Sequence, residues 1–198
     1  MLTAPLYNDA AGAPPGGKAR WVTTSDDIRL RFAWWDVGEK GTVLIFPGRT
    51  EFVEKYGRTV RDFLDADYAS VVIDWRGQGL SDRLTPNRLL GHVGQFSDYQ
   101  LDIAAVLNAL AGLDLPQPFY LCAHSMGGAI ALRALQGGLP VKRSVFTAPM
   151  WGMMIDPFCA RSPRQWPVAR CFLDWARNSR LAQVGKTISK ATNLKVTR

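Results

Sequence analysis

The residues with the clearest chemical potential surround Ser125, which lies between an apolar run at 119–122 and a helical pattern over Met126–Gln136. A serine on so sharp a strand-to-helix turn takes a strained backbone conformation and projects its hydroxyl above the sheet. Small residues two positions to either side prevent collision of strand and helix, and Ala123 and Gly127 meet that need. The spacing therefore predicts a nucleophilic serine. The alternative is a serine that only caps the helix.

A serine nucleophile also requires N–H donors for the oxyanion of the tetrahedral intermediate. One donor is expected from the backbone of Met126, directly after the serine. The other is expected from Arg49, in the turn 47–50 that follows the apolar run Thr42–Phe46. An ordinary Pro-Gly turn is the alternative interpretation of this segment.

The elements that must position these residues follow from hydrophobic periodicity. Alternating residues predict an opening hairpin of 21–23 with 28–34. Continuous apolar runs predict four buried strands, at 42–46, 69–73, 119–122 and 141–146. Helical spacing predicts helices at 53–64, after a capping box at 97–100, and at 126–136. Strands that alternate with helices indicate an α/β protein with a doubly wound, mostly parallel sheet.

Composition divides the chain into three parts. Residues 1–17 are rich in Ala, Pro and Gly and predict a flexible lead, and the α/β pattern occupies 18–150. Residues 151–198 hold 9 basic and 2 acidic side chains, whereas 1–150 hold 15 of each, so the net charge of +7 comes from the last part. We expect this last part to end in a loosely ordered basic tail, whose charges are those of a solvated surface and do not indicate nucleic-acid binding.

The remaining composition restricts location and cofactors. Three cysteines without CxxC spacing and two histidines provide no zinc set, so we expect no metal and no cofactor, and reduced thiols in a cytoplasmic protein. No segment approaches the roughly 18 apolar residues of a membrane span. Any membrane contact is expected to be peripheral, at the inner face.

A third block, 74–82, follows the second parallel strand with two glycines in a tight loop, and we expect Arg76 and Asp82 to pair there. With the Ser125 and Arg49 segments and the blocks 90–93 and 147–150, it resembles the lysophospholipase and monoacylglycerol-lipase group of the serine-aminopeptidase-like α/β-hydrolases, over about 20–152. The resemblance implies an α/β-hydrolase fold and cleavage of a lipid carboxylic ester. It implies Ser125 as nucleophile, Arg49 and Met126 as oxyanion donors, and a helical cap that starts within 151–198.

The resemblance is incomplete, because in that family an acid and then a histidine follow the serine, and no histidine follows Ser125. His92 and His124 are expected to be structural, with the His124 side chain directed away from the serine. Asp156 and Asp174 fall in the cap, where the family has no acid. We therefore expect a C-terminally truncated hydrolase, with strand 141–146 as an uncovered sheet edge and little activity in isolation.

Two further functions remain open from the sequence. The first alternative to the ester hydrolase is a non-catalytic binding protein that retains the fold without the triad, and the second is a hydrolase of another bond, such as a peptide or a thioester.

Overall fold

The structure is a computed structural model, and it describes residues 2–150. The strands are β1 (Lys18–Thr23), β2 (Arg29–Trp35), β3 (Thr42–Phe46), β4 (Ala69–Ile73), β5 (Phe119–His124) and β6 (Ser144–Thr147). The helices are α1 (Asn8–Ala11), α2 (Gly57–Asp65), α3 (Tyr99–Leu110) and α4 (Met126–Gln136). Short 3-10 turns, Val53–Tyr56 and Phe96–Asp98, precede α2 and α3.

The strands form one mixed sheet in the order β1-β2-β4-β3-β5-β6. β1, β2 and β4 pair antiparallel in succession, whereas β3 is parallel to β4 and β5, and β5 is parallel to β6. The predicted hairpin and the predicted mostly parallel sheet are therefore confirmed. In the described part of the chain β6 pairs only with β5, so it forms an edge of the sheet.

Apolar side chains on both faces of the sheet explain why helices cover both. Successive strand residues point to opposite faces, so Leu44 and Phe46 pack with α3 and α4, while Val43 and Ile45 pack on the face of α2. All five residues of β3 are buried. This arrangement is the doubly wound α/β architecture that the pattern predicts.

The start of α3 differs from the prediction, because the capping box does not begin at Ser97. The Gln95 N–H donates to the Asp98 carboxylate at 2.9 Å, and the Gln95 side chain accepts from the Asp98 N–H. The predicted box is wrong by two residues. The cause is the short 3-10 turn before α3, which brings the Asp98 side chain back to the Gln95 backbone.

The N-terminal segment, predicted to be a flexible lead, lies against the sheet. Thr3 forms a bridge with Arg20, and the Trp35 Nε1–H donates to the Pro14 carbonyl at 3.0 Å. Small residues permit this close approach: a Cβ at Gly17 would lie 2.5 Å from Trp35 Nε1. Residues 1–150 form one compact unit, whereas the predicted cap and basic tail at 151–198 lie outside the described residues.

Candidate active site

Ser125 occupies the turn between β5 and α4 in a conformation that is rare for a non-glycine residue, with φ 49° and ψ −118°. Its N–H donates to the Thr147 carbonyl at 3.1 Å, and its carbonyl accepts from the amides of Gly128 and Met150, each at 2.9 Å. These bonds fix the strained turn from both sides. Such strain persists only where the surroundings enforce it, and it is found most often at functional sites.

The small residues on either side of Ser125 are required by close packing. A Cβ on Gly127 would lie 2.2 Å from the Phe46 carbonyl oxygen and 2.6 Å from that of Pro47. Ala123, two positions before the serine, is fully buried in the core. The strand-to-helix turn can therefore approach the end of β3 only with these small side chains.

The turn after β3 lies directly against Ser125. A Cβ on Gly48 would be 3.1 Å from the Ser125 Cβ, so the two backbones are in close contact. Among residues 2–150, neither the Arg49 N–H nor the Met126 N–H has a hydrogen-bond acceptor. Two amides without acceptors thus follow Gly48 and Ser125, and an oxyanion site requires donors of this kind. The Arg49 side chain extends away and donates to the Leu90 carbonyl at 3.1 Å.

Glu51, which the sequence interpretation missed, holds this turn in place. Its Oε2 accepts from the Gly48 N–H at 2.6 Å and from the Tyr56 hydroxyl at 2.5 Å, and its Oε1 accepts from Lys55 Nζ at 2.6 Å. Glu51 is 7% exposed. The sequence contains one signal of this ion pair, because Glu51 and Lys55 are four residues apart, and an acid and a base at that separation pair across a helical turn.

The electrostatics around Glu51 favour its ionised form. Burial alone raises the pKa of the Glu51 carboxyl, but hydrogen bonds from Lys55, Tyr56 and the Gly48 amide outweigh burial and hold the pKa below its usual value. The pKa of Tyr56 is raised, first by burial and then by its hydrogen bond to Glu51. Glu51 is therefore a fixed anion, and Tyr56 is a permanent donor to it.

Neither histidine contacts Ser125 in the described part of the chain. His124 Nδ1 lies 2.9 Å from Thr147 Oγ1, and its Nε2 lies 3.9 Å from Glu51 Oε1. His92 lies in an exposed loop, where its carbonyl oxygen packs against Gly77, 2.6 Å from the position of a Cβ there. Both histidines therefore have packing partners away from the serine.

The glycine loop after β4 is built around Asp74. Asp74 Oδ1 accepts from the Val53 N–H and Oδ2 from the Leu80 N–H, both at 2.8 Å, and Arg31 pairs with Oδ2 at 2.7 Å. Gly79 has a φ of 51°, and a Cβ there would lie 2.1 Å from the Asp74 carboxylate. The loop thus encloses a buried carboxylate and connects it to the segment that follows the Arg49 turn.

The predicted pair of Arg76 and Asp82 is wrong. Arg76 is buried and pairs with Asp26 and Asp102, each at 2.7 Å, whereas Asp82 accepts from Arg29 Nη2 at 3.3 Å. The Gly77 amide donates to the Asp82 carbonyl, so the two ends of the loop meet through the backbone. Their side chains then leave the loop in different directions. The structural role predicted for this loop agrees with these contacts.

No part of residues 2–150 brings together three His, Cys, Asp or Glu side chains in a group that could hold a metal ion. In the same residues, no helix is long and apolar enough to cross a bilayer.

Most of the chain matches the model of a known protein family. The family model described as serine aminopeptidase, S33, matches residues 38–193. The chain belongs to this family. The match contains Ser125, both candidate oxyanion donors and the Asp74 loop, and it supports the resemblance that the sequence blocks indicate.

Curated relatives are phospholipases by name. The chain is 37% identical over 151 residues to lysophospholipase L2 of Escherichia coli, which covers 74% of this chain and 44% of that protein. It is 30% identical over 114 residues to the probable lysophospholipase L2 of Haemophilus influenzae, covering 57% of this chain and 36% of that one. The chain thus spans less than half the length of these relatives.

Solved structures agree on the fold. The Pyrococcus furiosus esterase Pf2001 aligns with a TM-score of 0.58 at 23% identity, covering 75% of this chain and 56% of that one. The α/β hydrolase GrgF of Penicillium sp. sh18 aligns with a TM-score of 0.60 at 18% identity, covering 84% and 55%. The family member described here has the α/β-hydrolase fold, as predicted.

Proposed function

We propose that this chain carries the nucleophile and the oxyanion donors of a carboxylic-ester hydrolase of the lysophospholipase or monoacylglycerol-lipase type. The observation that carries the proposal is the strained turn at Ser125, held against the Gly48 backbone beside two amides without acceptors in residues 2–150. The names of the curated relatives support a monoacyl lipid as substrate.

In this mechanism the Ser125 hydroxyl oxygen attacks the carbonyl carbon of the ester, and its proton passes to a base. The carbonyl oxygen becomes an oxyanion that accepts hydrogen bonds from the Arg49 and Met126 amides. Collapse of the intermediate expels the alcohol and leaves an acyl group on Ser125, which water then removes. Glu51 acts as a positioning residue, because its carboxylate fixes the Gly48 amide immediately before Arg49.

The base is the missing component. No histidine follows Ser125 in the 198 residues, and neither His92 nor His124 contacts it in the described part of the chain. An oxyanion site without its triad retains about 1,000 to 10,000-fold catalysis over water in a serine protease, far below the complete enzyme. We therefore expect the isolated chain to hydrolyse esters weakly.

Labelling with a fluorophosphonate, followed by peptide mass spectrometry, tests the nucleophile directly. We expect slow formation of one adduct, at Ser125, and faster formation when imidazole supplies a base. The adduct should be lost in Ser125→Ala and retained in Ser97→Ala, which removes a hydroxyl remote from the turn. Indiscriminate labelling of serines, or none at Ser125 even with imidazole, would contradict the proposal and favour a non-catalytic binding protein.

Turnover of p-nitrophenyl butyrate tests separately whether the isolated chain lacks a catalytic base. Fast turnover that Ser125→Ala abolishes would support the nucleophile and overturn the expectation of weak activity. Comparison of acylglycerols, lysophospholipids, thioesters and peptides as acyl donors to Ser125 then distinguishes the bond that is cleaved. Cytoplasmic location and peripheral membrane contact stay predictions, which fractionation of cells that express the chain would test.

A further inference from the structure

A cavity of about 450 Å³ opens between the loops that follow β3 and β4, and Ser125 does not line it. We call it the arginine cavity. The lining residues that matter are Phe52, Gln78, Leu80, Arg83, Arg88 and Leu89. Its volume lies in the range of small-molecule sites, which combine apolar walls with a few placed polar groups.

Arg83 supplies positive charge that no carboxylate neutralises in the described residues. Its guanidinium donates to the carbonyls of Gly79 and Ser81, each at 2.9 Å, and to that of Arg88 at 3.2 Å. These acceptors are neutral and use three of the five N–H groups of an arginine. Burial, and then the charge of Arg88, lower the pKa of Arg83 and outweigh the opposite influence of the Asp74 carboxylate, with which Arg83 forms no ion pair.

Arg88 supplies a second charge at the same cavity. Its guanidinium forms no hydrogen bond or ion pair with any side chain or carbonyl of residues 2–150, while its own carbonyl accepts from Arg83. The other charged lining residues, Arg31 and Glu54, are paired with each other at 2.6 Å, and Arg31 also pairs with Asp74. The unneutralised charge of the cavity is therefore that of Arg83 and Arg88.

Gln78 adds a buried donor that lacks an acceptor. Its Oε1 accepts the Thr50 N–H, and this bond fixes the orientation of the amide. Its Nε2 is then a donor, buried and without a partner in residues 2–150, although the residue is only 3% exposed. A buried donor left unpaired is costly, but this one is itself enclosed, so it is not among the groups that a ligand in the cavity can reach.

Apolar groups face the same opening. Leu89 is 91% exposed and Phe52 is 42% exposed. Exposed leucine and phenylalanine beside two unneutralised arginines describe a site for a ligand with an anionic group and an apolar group.

We propose that the arginine cavity binds a phosphate ester, with phosphate oxygens held by Arg83 and Arg88 and the organic substituent against Phe52 and Leu89. Phosphate suits the site better than a carboxylate, because two guanidinium groups match an anion with three acceptor oxygens and up to two charges. The phosphate of a lipid headgroup and that of a soluble metabolite share this chemistry.

Calorimetric titration of the 198-residue chain tests the proposal with inorganic phosphate, glycerol 3-phosphate and hexanoyl-glycerol 3-phosphate. We expect Arg88→Gln to weaken binding of all three ligands about ten-fold or more, through loss of charge-assisted hydrogen bonds. The guanidinium of Arg88 has no hydrogen bond or ion pair to lose in residues 2–150, so this variant should fold normally. Arg83→Gln should weaken binding in the same way if it folds. Arg133→Gln, which removes an exposed charge on α4, is the matched control and should bind like the parent.

The relative affinities of the three ligands distinguish a lipid headgroup from a soluble metabolite as the source of the phosphate. Binding of the hexanoyl ester that is tighter than that of glycerol 3-phosphate, and lost in Leu89→Ser, identifies an amphiphile. Equal affinity for these two esters, both tighter than inorganic phosphate, identifies a soluble phosphate ester, whereas equal affinity for all three ligands would contradict a role of the organic substituent. Absence of saturable binding, or equal weakening by Arg88→Gln and Arg133→Gln, would overturn the site. Ser125→Ala should leave binding unchanged, so the outcome is independent of the proposed nucleophile.

Discussion

Replacement of Glu51 by alanine perturbs the turn beside Ser125 without touching the serine. The substitution removes the acceptor of the Gly48 N–H and of the Tyr56 hydroxyl, and an unsatisfied buried polar group costs about 1 to 3 kcal/mol. The third partner, Lys55, is 56% exposed, so its ion pair contributes only about 0.3 to 0.5 kcal/mol. We therefore expect Glu51→Ala to lower the free energy of unfolding by roughly 2 to 6 kcal/mol.

Urea titration, followed by the fluorescence of the buried tryptophans, measures this loss. Glu51→Gln keeps an acceptor for the Gly48 amide but not the charge, and it should recover about half of the loss. Lys55→Met is the control for the exposed ion pair. Tyr56→Phe combined with Glu51→Ala completes a double-mutant cycle, in which a coupling of about 1 kcal/mol or more is expected.

The outcome that refutes this reasoning is specific. If Glu51→Ala and Lys55→Met reduce stability equally, by about 0.5 kcal/mol or less, the carboxylate does not hold the Gly48 turn. A second readout is the rate of fluorophosphonate labelling at Ser125, which should fall in Glu51→Ala and remain unchanged in Lys55→Met. Equal labelling rates would show that Glu51 stabilises the turn without affecting the reactivity of Ser125.

Three further perturbations test other parts of the structure. Gly127→Ala places a Cβ 2.2 Å from the Phe46 carbonyl oxygen. This variant should lower the free energy of unfolding by about 3 kcal/mol and abolish labelling of Ser125. A stable variant that is still labelled would exclude this close approach. Arg31→Met leaves two buried carboxylates unpaired, and urea titration should register a loss of about 3 to 5 kcal/mol; a neutral effect would mean that the pair is not buried. The hydrogen bond from Arg76 lowers the pKa of Asp26 from 3.8 to about 2, so its stabilisation is present above pH 3.8 and disappears as pH falls toward 2. The stability difference between the parent and Asp26→Asn should therefore shrink between pH 5 and pH 2, and a constant difference would contradict the assignment.

Much of the fold could be predicted from the sequence, because each strand and helix is encoded by neighbouring residues. The apolar run Thr42–Phe46 and the helix Met126–Gln136 have the bounds that their patterns predict. The position of Ser125 between β5 and α4 was equally local, although the need for a small residue at Gly127 comes from the distant end of β3. Its strained backbone conformation agrees with the expectation from this spacing.

Contacts between distant segments were decided only by the tertiary structure. Arg76 lies six residues from Asp82 but pairs with Asp26, 50 positions away, because the loop ends meet through backbone groups and direct the side chains apart. The N-terminal segment likewise has the composition of a flexible lead, yet its small residues fit against Trp35. The arginine cavity is likewise formed by loops from different parts of the chain, whereas the partners of Glu51 lie within five residues of it.

The sequence by itself determined the order of most strands and helices and which serine lies on the sharp turn, since hydrophobic period and small residues act over a few neighbouring positions; some bounds differ, as for strand 141–146, which is Ser144–Thr147 in the structure. The tertiary structure decided which charges are neutralised and which donors remain unpaired. The physical reason is that a buried charge must find its partner wherever packing brings one within about 3 Å. That distance depends on how all the elements pack together and is not encoded in any one segment.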